Sequence, residues 1–170
     1  MDRQEPITLE ANHRIADGGE GHAPAAVLIA DPDTTSLDYM VQTLRQAGHA
    51  CDGYISFDAR NGSTARLAAD PLINIVVVDA LALDPMENGP TLAELRRCSP
   101  CRNALQFVAI GEPLHLDRVL GWQASEVAQV LPKPVDRRVL IYSIRWASRR
   151  QSALRSISGT APLEGPSQRP

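Results

Sequence analysis

The chain has 170 residues, of which 44% are hydrophobic and 22% charged, with a formal net charge of −3. This is the composition of an ordinary globular domain, and so small a net charge gives no footprint for nucleic acid or an anionic membrane. No apolar run approaches the ~18 residues of a membrane span. The opening "MDRQEPITLEANHRIADGGEGHAP" has no apolar core of a secretory signal, so a cytoplasmic protein is expected. Three cysteines, Cys51, Cys98 and Cys101, are too few and odd in number for a disulfide framework.

In chain order, residues 1–24 are polar and aperiodic and read as a flexible tail. "AAVLIA" (25–30) is a continuous apolar run, the pattern of a strand covered on both faces. After "DPDTTS", Leu37, Met40, Val41 and Leu44 share one face at helical spacing. Thr34, Thr35 or Ser36 can cap that helix, and Gly48 suits its end. "ACDGYISF" (50–57) is a weaker strand and "ARNGSTARLAA" (59–69) a weak helix containing Gly62. "INIVVVDA" (73–80) is the strongest strand, rich in β-branched residues.

The second half repeats this rhythm. "PTLAELRRC" (90–98) starts with a proline suited to a first helical turn. A strand at 105–110, a short helix at 113–122 and a strand at 126–131 follow. A long amphipathic helix capped by Asp136 covers 136–155, and 156–170 reads as a second flexible tail. Five strands alternating with five helices give a doubly wound, five-stranded parallel sheet in a three-layer α/β sandwich over 25–155.

In such a sheet, sites form beyond the carboxyl ends of the strands. Asp31 and Asp33 follow the first strand, Asp79 ends the third, Gly111 and Glu112 follow the fourth, and Lys133 follows the fifth. Lys133 is the only lysine beside 16 arginines. Lysine is a compact point charge, whereas arginine is a broad fork. Converging carboxylates repel unless a cation intervenes, and a hard Mg²⁺ ion with Asp31, Asp33 and Asp79 as ligands would relieve that repulsion. A carboxylate beside such an ion and an ammonium is also a competent phosphoryl acceptor. "CSPC" (98–101) has redox-pair spacing, but no second pair completes a zinc site. The arginines of the last helix make a basic face, for which solvation is the simplest role.

"VLIADPD", "IVVVDA" and "LPKPVD", in this order on the βα rhythm, resemble the receiver domain of two-component response regulators over residues 25–153. The resemblance implies a flavodoxin-like receiver sandwich without enzymatic activity of its own. It implies Asp79 as phosphoacceptor, Asp31 among the acids that hold Mg²⁺, Lys133 as the phosphoryl contact, and a cis peptide before Pro134. It further implies a sensor histidine kinase or phosphotransfer protein upstream, a downstream protein partner, and a homodimer through the face of helix 4, strand 5 and helix 5.

Three positions depart from the pattern. Pro32 replaces the second acid of the usual pair, Gly111 replaces the hydroxyl residue that senses the phosphoryl group, and Val130 replaces the switch aromatic. The loop after Asp79 is about two residues longer than usual for the family, and its Asp84, Met86 and Glu87 read as solvated turn residues. The expected function is therefore that of a stand-alone, atypical receiver phosphorylated on Asp79, with a phosphorylation-independent docking module as the alternative. A flavoprotein on the same sandwich ranks last, because two acids in the first loop would repel a phosphate.

Overall fold

The computed structural model describes residues 24–57, 62–83, 89–120 and 126–158. The two expected tails lie outside these residues, except Pro24 at one end and 156–158 at the other, and so do Asp84, Met86 and Glu87. The strands are β1 (Ala26–Ala30), β2 (Ala50–Tyr54), β3 (Ile73–Asp79), β4 (Gln106–Gly111) and β5 (Val127–Pro132). The helices are α1 (Thr34–Gln46), α2 (Ser63–Ala69), α3 (Leu92–Cys98), α4 (Pro113–Leu120) and α5 (Arg137–Ser158). A short 3₁₀ turn, Ala80–Leu83, follows β3.

All strand pairs are parallel, in the order β2-β1-β3-β4-β5. This is the doubly wound sandwich that the sequence implies. The order reverses between β1 and β3, so the first and third loops diverge and leave a crevice at their carboxyl ends.

Strand side chains alternate between two apolar layers. Val27, Ile29, Ile75 and Val77 pack on Leu37, Met40 and Leu44 of α1 and on Leu140, Ile144 and Ala147 of α5. Leu28, Val76, Val78 and Phe107 face Leu67 of α2, Leu92 and Leu95 of α3, and Leu116 of α4. Burial on both faces explains why β1, β3 and β4 read as unbroken apolar runs. Gly53 of β2 has no side chain where α1 crosses it, since a Cβ there would lie 2.8 Å from Val41 Cγ2.

Local signals set the helix starts. Asp33 caps α1, accepting from Thr35 N and Ser36 N. Thr91 and Glu94 form a reciprocal capping box at α3. Asp136 accepts from Arg138 N and Val139 N at the start of α5. β2 stops at Tyr54, earlier than the expected 57, and α5 continues to Ser158, beyond the expected 155.

Candidate functional site

Strand register builds the site. Ala30 of β1 lies opposite Val78 of β3, so Asp31 and Asp79 leave the sheet side by side. Asp31 is fully buried and Asp79 is 2% exposed. Lys133 reaches them from beyond β5. Its backbone N–H donates to Gly111 O at 2.9 Å, which fastens the turn after β5 to the end of β4. The Lys133–Pro134 peptide is cis. Lys133 Nζ then lies 2.9 Å from Asp31 Oδ1, 2.8 Å from Asp31 Oδ2 and 2.8 Å from Asp79 Oδ2.

Backbone donors hold one oxygen of each acid, and Asp31 Oδ2 is left without a hydrogen bond. Asp31 Oδ1 also accepts from Asp33 N at 2.9 Å, and Asp79 Oδ1 accepts from Leu81 N at 2.7 Å. Burial raises the Asp79 pKa. Hydrogen bonds from Lys133 and Leu81 pull it back only in part, and the nearby Asp31 charge adds to the rise. Burial opposes the Lys133 charge, but hydrogen bonds to Asp31 and Asp79 outweigh it and the ammonium's pKa is raised as well. The two directions differ in cause: desolvation dominates at Asp79, whereas at Lys133 the two acid partners overcome desolvation.

The structure thus brings together Asp31, Asp79 and Lys133. Asp33 is not part of the group, because its Oδ1 sits on the first turn of α1, at 2.9 Å from Thr35 N and 3.3 Å from Ser36 N. Pro32 is exposed and offers no side-chain donor atom. Gly111 ends β4 with φ +156°, and a Cβ on it would lie 3.1 Å from the Ala80 Cβ. Val130 is 48% exposed on β5. Cys101 Sγ donates to Pro71 O at 2.9 Å, away from the acids' edge.

To a Mg²⁺ ion, which keeps several waters in its near-octahedral shell, the side chains here offer only the Asp31 and Asp79 carboxylates, and the Lys133 ammonium lies against both. Pro32 contributes nothing, Asp33 is committed to the helix, and Lys133 already occupies both remaining carboxylates. Among the described residues, no group of three acidic, histidine or cysteine side chains gathers to hold a metal.

Sequence reasoning offered Thr34, Thr35 or Ser36 as the cap of α1 and weighed a cap or turn role for Asp31 and Asp33 against metal binding; Asp33 performs it. The signal was available, since aspartate is among the strongest N-caps. The clamp from Leu81 N had no signal, because a backbone donor is invisible in residue types.

No family model and no curated protein matches the chain. Solved structures are similar in fold. A response regulator receiver domain protein from Clostridium thermocellum is 20% identical at TM-score 0.58, covering 76% of this chain and 98% of that one. A CheY-like receiver protein from Methanospirillum hungatei is 19% identical at TM-score 0.59, covering 77% and 98%. A protein described as a pilus assembly protein (CpaE) from Burkholderia thailandensis is 22% identical at TM-score 0.55, covering 74% and 98%. The fold is that of the response-regulator receiver, a flavodoxin-like sandwich. Among the described residues no helix is long and apolar enough to cross a membrane.

Proposed function

We propose that the chain is a non-enzymatic signalling module of the two-component type that docks protein partners without a phosphoryl switch. The observation that carries this reading is Gly111. A receiver relays phosphorylation through a hydroxyl side chain at the end of β4, and this position has no side chain and little room for one. At φ +156°, with Ala80 Cβ 3.1 Å from any added Cβ, the backbone itself is committed to glycine. A ligand shifts an equilibrium only through its differential affinity for two states. Without that side chain, a phosphoryl group on Asp79 has little to pull on.

Docking falls to the face of α4, β5 and α5. There Val130 is 48% exposed, Val139 47% and Tyr142 63%, beside the arginines of a helix without acids. Its occupant on this reading is a downstream protein or a second copy of the chain, in the cytoplasm.

The second reading keeps Asp79 as phosphoacceptor, served by a histidine kinase or phosphotransfer protein with Mg²⁺. It is favoured by the place of Asp79 at the end of β3, with the ammonium 2.8 Å away. One experiment separates the two. The protein is incubated with Mg²⁺ and acetyl phosphate, and the intact mass is followed beside that of Asp79→Asn. The docking reading expects no adduct on either protein. A labile phosphoryl adduct that Asp79→Asn abolishes establishes the second reading instead.

A further inference from the structure

Two buried carboxylates that share one ammonium need relief from their repulsion, by a proton or by a cation. In a site made for a hard divalent ion, that ion is the relief, and extra oxygen donors complete its shell. Here the two residues after Asp31 add no further carboxylate: position 32 is a proline, and the Asp33 carboxylate caps α1. What stands between Asp31 and Asp79 is the Lys133 ammonium.

Its close contacts are to these two acids, with Asp31 Oδ2 in ion-pair contact but without a hydrogen bond of its own. An ammonium has three N–H donors and accepts nothing. Three carboxylate oxygens surround Nζ, two from Asp31 at 2.9 and 2.8 Å and one from Asp79 at 2.8 Å. The stem is anchored as well, because the Lys133 N–H is bonded to Gly111 O and its side chain is only 19% exposed. A guanidinium is a flat fork suited to one carboxylate edge-on, and it does not place three donors around one point. That accounts for a single lysine in an arginine-rich chain.

We propose that Lys133 is the permanent counter-ion of this pocket, standing where a divalent cation would, so that the folded protein neither needs nor takes up Mg²⁺ at Asp31 and Asp79. This goes beyond the docking reading, since a module that docks constitutively could still need a metal to hold its acids together. The pocket then serves the fold: it ties the ends of β1 and β3 to the turn after β5 across the end of β4.

The test is thermal unfolding of the full chain in EDTA and in millimolar Mg²⁺, with calorimetric titration of MgCl₂. The wild type is expected to unfold at the same temperature in both and to give no site-binding heat. Lys133→Met is expected to lose several degrees in EDTA. It should regain them with Mg²⁺ but not with NaCl of equal ionic strength, because the vacated carboxylates then accept the ion. A saturable rise of the wild-type midpoint with Mg²⁺ overturns the proposal. So does a Lys133→Met protein as stable as the wild type and indifferent to Mg²⁺. Should Lys133→Met fail to fold, the double variant K133M/D79N decides: removing one carboxylate restores folding if uncompensated charge was the fault, and an unfolded double variant refutes the counter-ion role. Failure here leaves the docking reading standing, since that reading turns on an Asp79 adduct and this one on Mg²⁺ uptake.

Discussion

At the ends of β1 and β3, charged groups are buried and each is held more than once. Asp31 is bound by Lys133 and by Asp33 N, and Asp79 by Lys133 and by Leu81 N. At the ends of β4 and β5 no carboxylate is held in this way. Gly111 has no side chain, and Val130 stands half exposed to solvent. Lys133 links the turn after β5 to the acids after β1 and β3. The contrast separates two demands that a receiver site normally meets together. Charges that must be neutralised for the chain to fold persist, because an unpaired buried carboxylate is costly. Groups that would only signal the state of such a site carry no such penalty, and on the proposed reading their absence leaves the fold intact.

The contrast breaks most visibly if the second half can be restored. Gly111→Thr puts a β-branched residue at φ +156° and its Cβ 3.1 Å from Ala80 Cβ. A non-glycine residue in such backbone costs about 1–3 kcal/mol. Urea denaturation should therefore show a loss of that size. A threonine accepted without loss would mean that the end of β4 can relax to a receiver-like geometry, and the missing hydroxyl would then be a single step from return.

Much of this was legible in residue types, but only down to a certain grain. The strands announce themselves because β1, β3 and β4 are buried on both faces, and the alternation with helices fixes a parallel sheet. Asp79 and Lys133 stand out because each closes an apolar run at the carboxyl edge. Asp33 could not be placed, since in "DPD" a carboxylate suits an ion or a helix start equally and a rotation about one bond separates the two uses. Gly111 was legible as an absent hydroxyl, yet not as a backbone conformation, because glycine is compatible with nearly every φ. That three oxygens close around one ammonium is a matter of distances that no spacing encodes.

A smaller effect sharpens the comparison at the other end of β1. His49 is buried, and its Nδ1 accepts from Ala25 N at 3.2 Å. Burial lowers its pKa below the usual 6.5, and Arg145 lowers it further. The folded state thus binds the proton less readily than the unfolded chain. The stabilisation is complete above the unfolded value and is lost as pH falls below about 6.5, toward the depressed folded value. Denaturation measured at successive pH values should show stability declining below that point, by at most about 1.4 kcal/mol per pH unit from this one group. His49→Gln should flatten the decline. An unchanged profile would mean that the hold on β1 is confined to its carboxyl end.

The smallest effect is expected at Val130, and it bears on the comparison most directly. Val130→Tyr supplies the missing aromatic on β5. Because the position is 48% exposed and lies opposite Ala109, with no hydroxyl at Gly111 to follow, the ring should stay in solvent. A substitution at such a site normally shifts stability by no more than about 0.5 kcal/mol. Acrylamide should quench the added tyrosine as freely as it quenches an exposed one. In the double variant G111T/V130Y the two changes should add, since neither residue has the geometry to meet the other. A coupling above about 0.5 kcal/mol, or a ring protected from quencher, would show that β4 and β5 still frame the pocket of a working switch. The divide between a retained charge cluster and a lost reporter would then be a matter of two side chains rather than of backbone.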